Sequence, residues 1–169
     1  MIRPLTPADV SAFIRLRYAA FASDPLSFDH EPGSVIDPEV WAPRLAEVPD
    51  QKFTLGYFLT EGRSEPELAG MIGLLRYEKK KRSHRALVWG VYVGEAARGR
   101  GAADRLLEEC IRRAREMVGL DRLVLSLSHH AGAARHLYEK HGFVVFGREP
   151  GAARTGETAM DEIHMLLDL

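Results

Sequence analysis

The spacing of apolar residues changes period several times along this chain, and each change marks an expected element. Val10, Phe13, Ile14 and the stem of Arg17 recur at helical spacing up to about Phe21. Thr6-Pro7, with Asp9 close behind, reads as the start of that helix. A threonine at the cap can satisfy an N–H that lacks an intrahelical partner, and proline in the next position loses no needed donor. Ile2 to Leu5 predicts a short edge strand, where Pro4 is tolerated. Pro25, Pro32, Gly33 and Pro38 break the following stretch into a loop with short helical pieces. A second helix is expected from Asp37-Pro38, carrying Val40, Trp41 and Leu45, with Pro43 inside it and an end before Pro49.

The period then shortens. Phe53 to Thr60, Leu68 to Tyr77 and Ala86 to Val93 read as three strands of an antiparallel meander, joined by polar turns at Glu61–Pro66 and Glu78–Ser83. Helical spacing returns with Ala103, Leu106, Leu107, Cys110, Ile111, Ala114, Met117 and Val118, one face of a long helix that Gly119 is expected to end. Leu123 to Leu127 is a short apolar run of the kind that makes a buried strand. Ala133 to His141 predicts a helix closed by Gly142, and Phe143 to Phe146 and Glu162 to Leu167 predict two last strands. The sum is an α/β chain, one domain over residues 1–169, with a mixed, mostly antiparallel sheet and helices on both sides.

Composition narrows the function classes. The chain has 169 residues, 46% hydrophobic and 28% charged, within the range of ordinary globular domains. A net charge of -1 weighs against non-specific nucleic-acid binding, and no apolar run approaches the length of about 20 residues that crosses a bilayer. No nucleic-acid or membrane partner is therefore expected. Met1 to Thr6 lacks a charged start followed by an apolar core, so no signal peptide is read and a cytoplasmic location is the default. Cys110 is the only cysteine, which excludes an internal disulfide and a cysteine-based zinc cage. The seven histidines offer no His-x-x-x-His pair with a third ligand, and no metal is expected. The run Lys79 to Arg82, flanked by Arg76 and Arg85, reads as a solvated hairpin tip. Trp41, Tyr57, Phe58 and Trp89 are expected to pack in the core, with a cleft lining as the competing role.

The chemistry concentrates between Val91 and Leu107. A strand, Val91-Tyr92-Val93, runs into a turn holding Gly99 and Gly101, and a helix follows. The first N–H groups of such a helix lack partners and sit at the positive end of its dipole, so the junction is suited to an anion. Arg98 and Arg100 add charge. A Walker A loop would need Gly-Lys-Ser/Thr, which is absent, and a dinucleotide fingerprint would need glycine where Asp104 stands.

Arg98-Gly99-Arg100-Gly101-Ala102-Ala103 instead resembles motif A, Arg/Gln-x-x-Gly-x-Gly/Ala, of the GCN5-related N-acetyltransferases (GNAT). Downstream, Leu137-Tyr138-Glu139-Lys140-His141-Gly142-Phe143 is similar to that family's Leu-Tyr-x-x-x-Gly-Phe, and Asp161 to Leu167 is similar to its last strand. The resemblance implies a GNAT-type fold and direct transfer of acetyl from acetyl-CoA to a primary amine of a small molecule or peptide. It places the coenzyme on Val91, Tyr92 and Val93, on the turn Arg98, Gly99, Arg100, Gly101, Ala102 and Ala103, and against Ala131, Ala134 and Tyr138. Tyr138 takes the general-acid position, while Ala131 stands where the family often has Asn. Cys110, on the apolar helix face, is expected to pack and not to react. For the base, Ala86 to Val93 holds no carboxylate. His129 and His130 are candidates because a histidine titrates near neutrality, with His84 as a further one; two solvent-facing histidines are the competing reading. A homodimer is a habit of the family. Acceptor choice is expected in the N-terminal helices and in a loop at Pro150–Thr158. The alternative to an enzyme is a non-catalytic coenzyme A or acyl-CoA sensor with the same fold.

Overall fold

A computed structural model describes residues 1–28, 35–62 and 64–169. Among them, strands β1 (Ile2–Pro4), β2 (Lys52–Leu59), β3 (Glu67–Arg76), β4 (Arg85–Val93), β5 (Arg122–Ser128), β6 (Val144–Thr155) and β7 (Thr158–Asp168) form one sheet in the order β1-β2-β3-β4-β5-β7-β6. β4 and β5 are parallel, and every other neighbouring pair is antiparallel. The helices are α1 (Val10–Ser23), α2 (Pro38–Leu45), α3 (Ala102–Glu116) and α4 (Gly132–Lys140). The mixed, mostly antiparallel sheet flanked by helices is the architecture the apolar spacing implies. Pro32 and Gly33 of the expected loop, and Arg63 of the first polar turn, lie outside the described residues.

Two apolar layers hold the helices to the sheet. On one face Leu106, Leu107, Cys110 and Ala114 of α3 pack with Leu55, Ile72, Leu74, Leu123 and Leu125. On the other, Phe13, Leu16 and Ala20 of α1 and Leu45 of α2 meet Phe58, Met71 and Tyr92. Each large side chain removed from water contributes about 1.5–3 kcal/mol. Strands β2 and β3 are covered on both faces, which is why their sequences run nearly apolar throughout and do not alternate. Gly73 belongs to the packing, since a Cβ there would fall 2.1 Å from the indole of Trp89, its partner in register.

Thr6 is the cap that the sequence implies, with Pro7 next to it. Its carbonyl accepts from Asp9 N–H at 2.9 Å, its N–H and hydroxyl donate to Asp9 Oδ2 at 2.8 and 2.9 Å, and Arg3 pairs with the same carboxylate at 2.7 Å. The side-chain hydrogen bond from Arg3 is the main reason the Asp9 pKa falls to about 2. Two differences from the sequence reading, in α3 and in the last hairpin, have local causes. Helix α3 ends at Glu116, before Gly119, so Met117 and Val118 lie past it and Val118 is exposed. Arg76 closes that end by donating to Val118 O and Gly119 O, both at 2.9 Å. The segment Pro150–Thr158 is no loop: β6 and β7 continue into a hairpin turning at Gly156, mostly exposed and so without the apolar alternation that would announce a strand. No helix among the described residues is long and apolar enough to cross a membrane.

Candidate active site

Gly90 is the pivot of β4. Its φ of 64° lies in the left-handed region that glycine adopts without penalty, and the register opposite slips between Met71 and Gly73. The bulge resets the alternation of the strand. Ala86 and Val88 before it, and Val91 and Val93 after it, pack toward α3, whereas Trp89 and Tyr92 turn to α1. β4 pairs with β5 only at Arg85, Ala86 and Leu87, so the rest of its edge on that side has no strand partner among the described residues. Gly94 N–H donates toward β3, to Ala69 O at 2.8 Å. Peptide groups alternate between the two edges of a strand, which turns the N–H groups of Val91 and Val93 into the gap between β4 and β5.

The strand leads through a tight turn at Glu95–Ala97 to Gly99 and Gly101, with φ of 71° and 70°. No atom lies within 4 Å of where a side chain would begin at either glycine. Gly101 precedes α3, whose first turn has no side-chain cap, so its leading N–H groups are free to bind an anion. Asp104, the carboxylate in that turn, is drawn aside by Lys140 Nζ at 2.6 Å and His141 Nε2 at 3.1 Å. Lys140 first, then His141, hold its pKa below the usual carboxylate range. Arg98 donates from Nε to Val93 O at 3.1 Å, and Arg100 lies 3.7 Å from the exposed Glu61. Both guanidinium groups therefore flank the turn without a tight carboxylate partner among the described residues.

Ala131, which precedes α4, and Ala134 and Tyr138 on it face a cavity of about 620 Å³. Its other walls are Arg17 and the segment Asp24–Phe28 after α1, Leu87–Tyr92 of β4, Ser126–Ser128 of β5, and Ala152–Thr155 with Met160–Glu162 of the last hairpin. That size suits the end of a cofactor-length ligand together with a small second reactant. Small alanines on α4 leave the width that a bulkier helix face would fill.

A protein-family model, the Acetyltransferase (GNAT) family, matches residues 20–143. The chain belongs to the GNAT acetyltransferase family. Bacillus subtilis (strain 168) YwnH, whose name proposes a phosphinothricin acetyltransferase, is 38% identical over 63 residues. That match covers 37% of this chain and 38% of the relative, little more than a third of either. Among solved structures, a GNAT acetyltransferase from Streptococcus pneumoniae superposes with a TM-score of 0.84 at 24% identity, over 100% of this chain and 99% of that one. YncA from Salmonella typhimurium, solved with its cofactor acetyl-CoA, gives a TM-score of 0.80 at 20% identity, covering 99% of this chain and 92% of that one. At these identities the structural likeness is one of fold.

The GNAT fold brings to one cavity residues as far apart in the sequence as Arg17 and Glu162. Tyr138 is buried, with its ring 5.7 Å from that of Phe143. Burial, with a smaller effect of Cys110, pushes its phenol above the usual tyrosine range, so it stays protonated at neutral pH. Cys110 is fully buried in the α3 layer, and burial raises its thiol to about 12, which leaves it inert. His129 and His130 stack at 3.8 Å but are exposed and stand off the cavity wall. His129 Nδ1 accepts from Asp161 N–H at 2.9 Å, which commits that nitrogen to holding β7. His84 is exposed at the far end of β4, where its carbonyl accepts from Asp121 and Arg122. Trp89 lines the cavity while packing on Trp41, so it serves both of the roles weighed for it.

Several cavity residues went unread in the sequence. Asp24, Asp161 and Glu162 supply the carboxylates that β4 lacks. Asp161 is engaged by Gly151 N–H at 2.9 Å and by Arg148, and Asp24 by the Ser27 hydroxyl at 2.8 Å. Glu162 has no ion-pair partner among the described residues. It stands beside Glu149 and His164, whose ligand atoms all lie within 4.8 Å of one another. A carboxylate in a last strand carries no local signal, because only the pairing of β7 with β5 sets it opposite Ser128 and beside the gap.

Proposed function

We propose that this protein transfers the acetyl group of acetyl-CoA to a primary amine of a small-molecule or peptide acceptor. The observation that carries this reading is the open edge of β4, which joins the uncapped turn before α3 to the Tyr138 wall of the cavity. The N–H groups of Ala102 and Ala103, with Arg98 and Arg100, hold the pyrophosphate, and the glycines let it approach the main chain. Val91 and Val93 donate N–H groups along the gap to the pantetheine amides and to the charge that develops on the thioester oxygen. Ala131 and Ala134 give room rather than hydrogen bonds.

The amine enters from the side of α1 and the β6–β7 hairpin. Glu162 takes its proton, directly or through one water, as a cavity-wall carboxylate with no ion-pair partner among the described residues and, unlike Asp24, no hydroxyl donor holding it there. The new N–C bond forms as the C–S bond breaks, and Tyr138 gives its proton to the departing sulfur. A phenol held neutral by burial is matched to donate, not to accept. His129 holds Asp161 beside Glu162 and acts by position. The phosphinothricin named for YwnH is an amine carrying acidic groups, and it belongs in the first acceptor panel.

The test is release of free thiol from acetyl-CoA across a panel of amines. Thiol release matched by acetylated product supports transfer. Tight acetyl-CoA binding with no release for any amine would replace this reading by the non-catalytic sensor.

A further inference from the structure

Arg17 is the odd residue on α1. Phe13, Leu16, Arg17, Ala20 and Phe21 make the buried stripe of the helix, and the arginine is as deeply placed as its apolar neighbours, only 6% exposed. Its guanidinium carbon lies 4.6 Å from the Phe21 ring centroid and 5.5 Å from that of Phe28. Its Nε is buried with no hydrogen-bond partner, and no carboxylate among the described residues pairs with it. It nevertheless forms part of the cavity wall, and a methyl group built at the bulge residue Gly90 would lie 3.4 Å from its Nη1.

A buried cation without an anion is costly, and aromatic faces offset only about 1–2 kcal/mol of that cost. Desolvation lowers its pKa to about 10, which still leaves it charged at neutral pH. A counter-anion brought by a ligand would complete the site. On that reading the phosphates of the donor belong at the Gly99–Gly101 turn, past the Val93 end of β4, whereas Gly90 lies inside the strand. An anion arriving at Gly90 therefore belongs to the acceptor. The planar fork of a guanidinium, held by two rings and a glycine with no side chain, suits a carboxylate or another compact oxyanion.

We infer that Arg17 selects acceptors that carry an oxyanion close to the reacting amine, with α-amino acids as the simplest class. This rests on the acetyl-transfer reading above and adds a substrate class to it. The carboxylate seats on Arg17 under the Phe21 and Phe28 rings, and the amine then points along β4 toward the thioester. With about 620 Å³ to share with the donor, the remaining side chain of the acceptor is small or extends past the exposed hairpin.

The experiment pairs each of the proteinogenic L-amino acids with its carboxamide, which keeps the amine and removes the charge. For the amino acid that is turned over best, kcat/KM exceeds that of its amide at least 100-fold in the wild type. In Arg17→Met the ratio falls to within threefold of one, mainly through KM, and Arg17→Lys restores part of it. A second readout does not need turnover. The best carboxylate raises the Tm of the wild type but not of Arg17→Met, and the ligand-free Arg17→Met is at least as stable as the wild type, because a buried charge with no carboxylate partner among the described residues is gone. Amides used as well as acids, or a ratio unchanged in Arg17→Met, would overturn the inference while leaving acetyl transfer in place. A lower Tm for ligand-free Arg17→Met, with no carboxylate-dependent shift in the wild type, would show a packing role and overturn it too. If no amine releases thiol, acetyl transfer fails, and the carboxylate-dependent Tm shift still decides whether Arg17 binds an oxyanion. Phosphinothricin, which carries a phosphinate as well as a carboxylate, separates the two oxyanion sources: a preference for it over glutamate that Arg17→Met abolishes assigns the phosphinate to Arg17. Equal loss for both assigns the carboxylate.

Discussion

At one end of β4 the turn at Gly99 and Gly101 is bare main chain, exposed, with nothing within 4 Å of either glycine's missing side chain. Inside the strand, Gly90 has nearly the same φ but faces the guanidinium of Arg17 from a different element. One backbone device thus serves two opposite purposes. The first leaves N–H groups of α3 uncapped, where the donor's phosphates are proposed to bind. The second makes room for a charged side chain that has no carboxylate partner among the described residues and that is proposed to meet an oxyanion of the acceptor. On the proposed reading, the donor end is built from backbone and so is generic, while the acceptor end is built from side chains and so is particular to this chain.

The comparison can be broken at each end separately. The largest effect is expected at Tyr138, the proposed general acid between the two ends. Tyr138→Phe lowers kcat about 100-fold, within the usual range for loss of a general acid, and leaves the acetyl-CoA Kd within twofold. Normal turnover in that variant removes the acid assignment. Next comes Gly101→Val, which strains a left-handed position and blocks the approach to the α3 N–H groups. It weakens acetyl-CoA binding about 30-fold, or about 2 kcal/mol, by calorimetric titration, without altering the ratio of acid to amide acceptors. A change in that ratio would mean that the two ends are not separable.

A smaller loss, about 20-fold in kcat/KM, is expected for Glu162→Gln if it draws the proton from the amine. His130→Ala stays within about threefold, since its exposed ring stands off the cavity wall, and a lost neutral limb in its pH–rate profile would return the base to the histidines. The smallest effect lies outside both ends. Asp9 is held near pKa 2 chiefly by Arg3, so its pairing stabilises the fold above the unfolded carboxylate pKa and is lost as pH falls from about 4 toward 2. Asp9→Asn costs about 1 kcal/mol at neutral pH, after discounting for the partly exposed Arg3. The difference from wild type in chemical denaturation should shrink to nothing by pH 2, while catalysis at neutral pH is unchanged.

Local chemistry explains which features could be read along the chain. The turn Arg98–Ala103 is legible because each position answers to its neighbours: two glycines for positive φ, small residues to begin α3, and arginines beside them. Tyr138 is legible through the Gly142-Phe143 pair that closes its helix. The hairpin at Gly156 was hidden because its outer part, residues 150–159, is exposed on both strands and has no apolar side to show. Glu162 was hidden because its meaning depends on the pairing of β7 with β5. Arg17 was visible only as a stem on an apolar face, and nothing local says that the whole group is buried.

By itself, then, the sequence determined the order of the elements, the glycine turn before α3 and the Tyr138 helix, all of which rest on interactions between residues close in the chain. Only the tertiary structure decided that β4 and β5 part after Leu87 and that β7 brings Glu162 to the gap. It also decided that α1 buries Arg17 against Gly90, 73 positions further along. Those facts depend on contacts between distant segments, whose pairing is set by the packing of the two apolar layers and not by any residue's neighbours.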